Sequence, residues 1–298
     1  MCRLKSVGSF ASQVDVLQGY SSHKRGVRLC GAKVRLIRGV AKFLIYFLVS
    51  RCFLLHFVVA SFAERKRMIT FVSYNLTPPM THQFDFLVIG SGVAGLSYAL
   101  QVAAARPDRR IALVCKTTID EANTAKAQGG ISAVTNLAVD NFEKHIADTL
   151  IAGDHINDPE AVRLVVERAP EGIRRLVEWG VKFDRTPDGT FDLHREGGHS
   201  EFRILHHADD TGYEIQRGLI AAVRAVPNIT LFEHHFAVEI ITQHHLGMEV
   251  TRRTPDIECY GAYILNEATG KIDTFLSRVT ILATGGCGAV YSTTSNPN

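Results

Sequence analysis

The sequence predicts an α/β protein whose main unit is a Rossmann-like dinucleotide-binding domain, a parallel sheet with helices and an added β-hairpin. Three observations predict this class: an apolar strand over residues 84–89, a glycine-rich turn over 90–95, and an Ala- and Leu-rich helix over 94–105. A second apolar strand follows over 111–114. This order of strand, turn, helix and strand places the turn where a dinucleotide pyrophosphate binds.

Each glycine of the turn has a role in such a site. Gly90 permits a tight turn, Gly92 lets the backbone approach a pyrophosphate, and Gly95 lets the helix pack closely on the strand. Free N–H groups at the start of the helix attract the anion. The candidate pyrophosphate-binding residues are Gly90, Ser91, Gly92, Val93, Ala94 and Gly95.

The composition divides the chain into two predicted segments, a basic leader over residues 1–80 and the nucleotide-binding domain over 81–298. The leader contains 13 of the 33 Lys and Arg residues and two of the 30 Asp and Glu residues. The predicted domain contains 20 basic and 28 acidic residues. Because an acidic surface repels phosphates, we predict no nucleic-acid partner.

The leader includes an apolar stretch over residues 43–63, which approaches the length of a membrane span. Arg51 lies near its centre, where a charge costs about 2.5–3.5 kcal/mol on insertion scales. Three interpretations stay open: a membrane or signal-like anchor, an amphipathic surface helix, and sequence upstream of the true start. Met68 and Met80, just before the domain, favour the third.

The six cysteines form no C-x-x-C pair, which is typical of a reducing compartment. We therefore predict a cytoplasmic protein. Cys115 and Cys287 lie in or beside apolar runs, so both are predicted to be buried, inert thiols.

The second strand ends at Cys115-Lys116, where NAD-dependent enzymes carry an Asp or Glu for the ribose hydroxyls. This disfavours a simple NAD-dependent dehydrogenase. The segment N-T-A-K-A-Q-G-G, residues 123–130, combines small and polar residues with two glycines. It suits a backbone that runs against a flat ligand, although an ordinary Gly-Gly turn is the alternative.

The remaining pattern predicts further elements of the domain. Helices are predicted over 141–153, 159–179 and 212–225, a hairpin over 183–193, and strands over 230–241, 257–265 and 278–283. Asp209, Asp210 and Thr211 are predicted to cap the third of these helices.

Taken together, these motifs resemble those of a known family. G-S-G-V-A-G, V-C-K, A-Q-G-G-I and the I-L-A-T-G-G of residues 281–286 are similar to motifs of the flavoproteins of succinate dehydrogenase, fumarate reductase and L-aspartate oxidase. The resemblance covers nearly all of residues 82–298 and implies an FAD-binding domain. It adds candidate FAD contacts at Lys116, Asn123, Thr124, Ala125, Lys126, Ala127, Gln128, Gly129, Gly130, Phe236 and Ala237.

Two positions distinguish branches of that family. Quinone-linked members commonly bond FAD covalently through a histidine at the position of Asn123, so the resemblance implies noncovalent FAD here. They also tend to have an apolar residue at the position of Glu196, whereas R-E-G-G-H-S resembles the L-aspartate oxidase branch. A carboxylate beside a substrate amine distinguishes aspartate from succinate, and Glu196 is the candidate residue that orients this amine.

The resemblance therefore implies FAD-dependent oxidation of L-aspartate to iminoaspartate, with oxygen or fumarate as acceptor. This reaction is the first step of de novo NAD biosynthesis and gives a possible link to quinolinate synthase. The alternatives are a soluble fumarate reductase or succinate dehydrogenase-like flavoprotein, and a noncatalytic flavin-binding remnant. The family pattern continues into a capping domain and a C-terminal helical region that this sequence lacks. We therefore expect an incomplete domain that binds FAD poorly and is inactive alone.

No metal site is predicted among the histidines of residues 194–212. They lack the H-E-x-x-H spacing of zinc sites, and adjacent His206 and His207 point to opposite sides of an extended chain. His199 and His206 are candidates for positions near the flavin or the substrate entrance.

Overall fold

The structure is a computed structural model of the chain. It describes residues 79–294, apart from the side chain of residue 289, and the backbone of five strands within residues 1–78. The chain divides into two compact units, Met1–Pro78 and Pro79–Asn298. The assignment of a leader and a domain to residues 1–80 and 81–298 stays a prediction.

In the first unit the structure describes five strands in two antiparallel sheets, one of two and one of three strands: β1 (Arg28–Leu29), β2 (Ala32–Lys33), β3 (Lys42–Phe47), β4 (Leu54–Ser61) and β5 (Ile69–Asn75). Parts of the apolar stretch 43–63 lie in β3 and β4, while residues 48–53 and 62–63 lie outside the described residues. The three interpretations of the stretch stay predictions. Within the described residues, no helix has both the length and the apolarity that crossing a membrane requires.

Residues 79–294 of the second unit contain nine strands and four α-helices. The strands are β6 (Thr81–Ile89), β7 (Ile111–Val114), β8 (Ile131–Ser132), β9 (Leu193–His194), β10 (Ile204–Leu205), β11 (Ile229–Phe232), β12 (His235–Thr242), β13 (Cys259–Asn266) and β14 (Lys271–Leu282). The helices are α1 (Val93–Ala105), α2 (Phe142–Ala152), α3 (Pro159–Glu178) and α4 (Thr211–Arg224).

Six strands form the main sheet, in the order β11-β7-β6-β14-β13-β12. The first four run parallel, and β13 and β12 continue the sheet as an antiparallel hairpin. Strands β8, β10 and β9 form a small antiparallel sheet. The predicted class, a parallel sheet with helices and an added hairpin, is confirmed.

Successive residues of β6 and β7 belong to two different apolar clusters, because side chains alternate between the faces of a strand. Val88 and Leu113 pack in a cluster that includes residues of α1, α3 and α4. Leu87 and Val114 pack instead against residues of β13 and β14, including the fully buried Phe275. Both faces of these strands are covered, which explains why β7 is apolar throughout.

Capping side chains begin two of the predicted helices. The Asn141 side chain accepts a hydrogen bond from Lys144 N at 2.9 Å before α2, and Asp158 caps α3, with Pro159 in its first turn. The predicted cap of α4 is wrong. Asp210 occupies the N-cap position without a side-chain capping bond. The Thr211 hydroxyl accepts from His207 N at 3.1 Å and closes the preceding turn.

Two strand predictions differ from the structure. The strand predicted over 230–241 is divided into β11 and β12 by His234, whose φ is +55°, because β11 pairs with β7 whereas β12 pairs with β13. The strand predicted over 278–283 begins earlier, at Lys271. Its first part pairs with β13 and its second with β6, so β14 serves both halves of the sheet.

Candidate FAD and substrate site

The turn between β6 and α1 has the geometry that its glycines predict. Gly90 has a φ of +116°, and a Cβ on it would lie 2.1 Å from the oxygen of Ala283. A Cβ on Gly95 would lie 1.9 Å from the oxygen of Gly90. Neither position can hold a side chain. Gly92 is the N-cap of α1 and leaves the start of the helix uncovered by a capping side chain of its own.

The A-Q-G-G loop lies beside this turn. Thr124 Oγ1 accepts a hydrogen bond from Val93 N at 2.9 Å, in the first turn of α1. Ala127 O accepts from Gly212 N at 2.9 Å, in the first turn of α4. A Cβ on Gly212 would lie 2.1 Å from Thr124 O, so the glycine allows this approach. The loop therefore connects the starts of two helices.

The structure brings most of the candidate FAD contacts to the carboxyl ends of β6 and β7. Lys116 is exposed directly after β7. His235 N donates to Cys115 O at 2.9 Å, which places Phe236 and Ala237 next to the same strand end. Phe236 is 47% exposed, whereas Ala237 packs against the apolar cluster around Phe275.

The residues of the A-Q-G-G loop differ in exposure. Exposed residues can contact a ligand, whereas packed residues hold the loop in place. Asn123 is exposed, and its Nδ2 lies 3.7 Å from a Cβ built on Gly285, just after β14. Gly130 is packed: its Cβ would lie 2.4 Å from Leu205 O. Exposed residues of the loop also include Lys126, Ala127, Gln128 and Gly129, while Thr124 and Ala125 are half-buried.

Sequence reasoning missed Gln216, which ties the glycine turn to α4. Its side chain is buried, and Nε2 donates to Ser91 O and to Ile119 O, each at 2.8 Å. The amide therefore fixes the backbone of the turn from behind. The one signal in the sequence is a polar residue between the apolar Ile215 and Leu219 of the helix.

The loop between β9 and β10 carries Glu196. Arg203 N donates to His194 O at 3.2 Å and closes the loop. Inside it, His199 N donates to Glu196 O at 3.2 Å, and Gly198 has a φ of +85°. A positive φ at the third position is what a type II turn requires. Gly197-Gly198 thus place Glu196 and His199 at the two ends of one turn, with the Glu196 side chain exposed.

Arg203 fixes this loop to α2, a role that the sequence analysis did not predict. Its side chain is fully buried, and Nε and Nη2 donate to the two carboxylate oxygens of Asp140, each at 2.8 Å. Nη1 donates to Asp148 Oδ2 and lies 3.2 Å from His199 Nδ1. The Ser200 amide and hydroxyl also donate to Asp148, each at 2.8 Å.

The opposite charges of this cluster stabilise the ionised form of each group. Burial opposes ionisation of Asp140 and Asp148, but the hydrogen bonds outweigh it, and both carboxyl pKa values are lowered. Burial likewise opposes the charge of Arg203, and the two carboxylates outweigh it, so its pKa is raised. Burial, followed by the field of Arg203, lowers the pKa of nearby His145.

The described residues include two groups of histidines and carboxylates within metal-binding distance of one another, and the first contains Asp192, His194 and His206. The rings of His194 and His206 are stacked, with centroids 3.7 Å apart and planes 24° apart. Both ring nitrogens of His206 are buried without a hydrogen bond in the described residues, although Asp184 Oδ2 lies 3.3 Å from Nδ1.

A second such group contains Glu239, His244 and His245. Thr242 N donates to His245 Nδ1 at 3.3 Å, so the hydrogen of this ring lies on Nε2. That atom lies 3.4 Å from Glu239 Oε2. The absence of a metal stays a prediction.

A family model described as an FAD binding domain matches residues 85–298. The chain belongs to this FAD-binding domain family. The predicted cofactor, FAD, is confirmed. The site fits it: the glycine turn leaves no room for side chains, Gly92 places no side chain at the start of α1, and the exposed part of the A-Q-G-G loop lies alongside.

Two known proteins of similar sequence are L-aspartate oxidases. The tobacco (Nicotiana tabacum) protein L-aspartate oxidase 2-b, chloroplastic, is 45% identical over 218 residues, 73% of this chain and 32% of the relative. The L-aspartate oxidase of Pseudomonas aeruginosa is 44% identical over 225 residues, 73% of this chain and 40% of the relative. The chain thus spans about a third of the length of the plant relative.

Solved structures of this family have the same fold. The E. coli quinol fumarate reductase superposes with a TM-score of 0.66 at 30% identity, covering 74% of this chain and 35% of that one. A flavocytochrome c3 fumarate reductase gives 0.57 at 25% identity, covering 70% and 34%. The predicted resemblance to the family of succinate dehydrogenase, fumarate reductase and L-aspartate oxidase is confirmed.

Proposed function

We propose that the protein oxidises L-aspartate to iminoaspartate with noncovalent FAD. The observation that carries this proposal is the exposed carboxylate of Glu196 at the start of a turn fixed by buried Arg203. A carboxylate placed beside a substrate amine favours the ammonium group and is left unpaired when the amine is absent. The sequence likeness to the tobacco and Pseudomonas enzymes supports the same substrate.

The chain's own residues hold FAD in defined parts of the site. The start of α1 and its glycine turn would hold the pyrophosphate, and Lys116 and residues 123–130 the flavin and ribose side. Phe236 and Ala237 would contact the adenine end. Asn123 has an amide in place of a histidine ring and forms no covalent link. When bound, FAD accepts the two electrons that leave the substrate.

The proposal extends to the partners of the reaction. Oxygen or fumarate would accept the electrons afterwards, and iminoaspartate would pass to quinolinate synthase, in the first step of de novo NAD biosynthesis. We propose a cytoplasmic location, although the tobacco relative is named chloroplastic.

A soluble fumarate reductase or succinate dehydrogenase is the second candidate function. The structural likeness to E. coli quinol fumarate reductase favours it. Glu196 opposes it, since a carboxylate in this place would repel a dicarboxylate without an amine.

The flavin spectrum distinguishes these functions. The protein is purified from its native source, and its flavin absorbance is recorded without oxygen, first with L-aspartate and in a second sample with succinate. We expect bleaching by L-aspartate alone. Bleaching by succinate alone would transfer the assignment to the second candidate. A protein without flavin would support a noncatalytic remnant.

A further inference from the structure

We propose that His199 binds a carboxylate of the amino-acid substrate through Nε2–H, across the turn from Glu196. The inference rests on the proposed function and extends it, because it assigns a residue to the second charged group of the substrate. It makes the loop between β9 and β10 a two-point site for an amino dicarboxylate.

The first support is the backbone. Glu196 and His199 are the first and fourth residues of a hydrogen-bonded turn, so their Cα atoms lie within about 7 Å of each other. The ammonium and carboxylate groups of an α-amino acid are separated by a shorter distance than this. One substrate molecule can therefore contact both ends of the turn.

The second support is the hydrogen on the ring. The His199 Nδ1 atom lies 3.2 Å from Arg203 Nη1. A guanidinium group only donates hydrogen bonds, so the Nδ1 atom facing it accepts. A neutral imidazole then carries its hydrogen on Nε2. Arg203 thereby makes the outer nitrogen of His199 a donor, which is the group a carboxylate needs.

The third support is that this donor is available. His199 is half-buried, and Nε2 makes no hydrogen bond with the described residues. It is not among the buried nitrogens that lack a partner, so it is open to solvent. The neighbouring ring of His145, 5.7 Å away between centroids, is buried by contrast. His199 is thus the ring of this pair that can reach a ligand.

The ring is also held in place. Arg203 is bonded to Asp140 and Asp148, and the Ser200 amide beside His199 donates to Asp148. A donor that is fixed before the ligand arrives loses little conformational entropy on binding. The buried cluster therefore acts as the positioning unit for His199.

Four variants in the native gene test the proposal on the flavin-loaded protein: His199→Leu, His199→Gln, Glu196→Gln and, as a matched histidine outside the loop, His244→Leu. The measurements are the inhibition constant of succinate and KM and kcat for L-aspartate. We expect His199→Leu to raise both the inhibition constant and KM by about tenfold. His199→Gln, which keeps an N–H donor, should recover part of this loss, and His244→Leu should match wild type.

The Glu196→Gln variant distinguishes the role of Glu196 from that of His199. It should raise KM for L-aspartate without raising the inhibition constant of succinate, which has no amine. An unchanged inhibition constant in His199→Leu, with loss confined to kcat or to thermal stability, would overturn the role of His199 and leave a structural one.

Nitrogen-15 NMR of the histidine rings gives a readout independent of turnover. We expect a neutral His199 ring with its hydrogen on Nε2, and a shift of that nitrogen when succinate is added. A hydrogen on Nδ1 would overturn the proposal. If L-aspartate fails to bleach wild-type flavin while succinate shifts Nε2, the oxidase function fails and the carboxylate site survives. If L-aspartate bleaches the flavin but succinate does not shift the His199 Nε2 signal, the role of His199 is refuted and the oxidase function is not.

Discussion

Gly95 is a residue whose missing side chain determines a whole site. A Cβ there would lie 1.9 Å from the oxygen of Gly90, which is backbone and cannot move aside. The contact is what allows α1 to start directly above the end of β6. The sequence pattern predicted this role correctly, because glycine spacing in a strand-turn-helix unit reports local geometry.

We expect Gly95→Ala to destabilise the fold by about 1–3 kcal/mol through overpacking and to lower the flavin content. Gly172→Ala is the matched control, since Gly172 lies inside α3 with no atom near its would-be Cβ. It should raise stability by about 0.5–1 kcal/mol. Urea unfolding and flavin absorbance measure both effects, and equal behaviour of the two variants would contradict the packing argument.

The three cysteines of the described residues differ in burial. Burial, with a contribution from the charge of Glu233, raises the pKa of the Cys115 thiol to about 12. Cys259 and Cys287 are exposed. The prediction of a buried Cys287 is wrong, because it follows the end of β14 in a segment outside the sheet core.

In the folded protein at pH 8, we expect a thiol reagent to modify Cys259 and Cys287 within the time that leaves Cys115 unmodified. Peptide mass spectrometry after a short exposure identifies the labelled positions. In urea all three should react. Rapid labelling of Cys115 without urea would show that the end of β7 opens readily.

At the scale of elements, the connection between α2 and the loop before β10 depends on one buried ion network. Arg203→Met leaves the carboxylates of Asp140 and Asp148 without their cation, which costs about 3–5 kcal/mol at a buried site. Arg163 also pairs with α2, through the exposed Glu143. Arg163→Met should change the free energy of unfolding little. Urea unfolding of both variants measures the two losses in the free energy of unfolding. Equal losses would contradict the argument that burial makes the Arg203 ion pairs more important than the Arg163 pair.

The same elements predict how stability depends on pH. The His145 pKa is lowered from 6.5, so the unfolded chain binds its proton first and stability declines as pH falls below 6.5. The carboxyl pKa values of Asp140 and Asp148 are lowered from 3.8, so their stabilisation is present above 3.8 and is lost below it.

Unfolding midpoints measured from pH 8 to pH 3 should therefore fall in two stages. His145→Gln should remove the first stage and keep the second, since glutamine does not titrate. A first stage that survives this substitution would assign it to another histidine.

At the scale of the whole unit, the sequence predicts what local patterns encode. The apolar strands β6 and β7, the glycine turn and the ends of α2 and α3 follow from periodicity and capping residues close in sequence. Arg203 was missed because its partner Asp140 lies 63 residues away. The extra length of β14 was missed because its pairing with both β13 and β6 is set by the sheet rather than by its own residues.

The double pairing of β14 has a consequence for synthesis on the ribosome. The strand lies between β6 and β13, yet among the strands that the structure describes it is the last to be made. Until Leu282 has left the exit tunnel, the edge of β6 that pairs with β14 presents a row of unpaired backbone groups. A nascent chain in that state has an open sheet edge, which favours association with other chains. The correct folding of the nascent chain therefore depends on the time between the synthesis of β6 and the synthesis of β14.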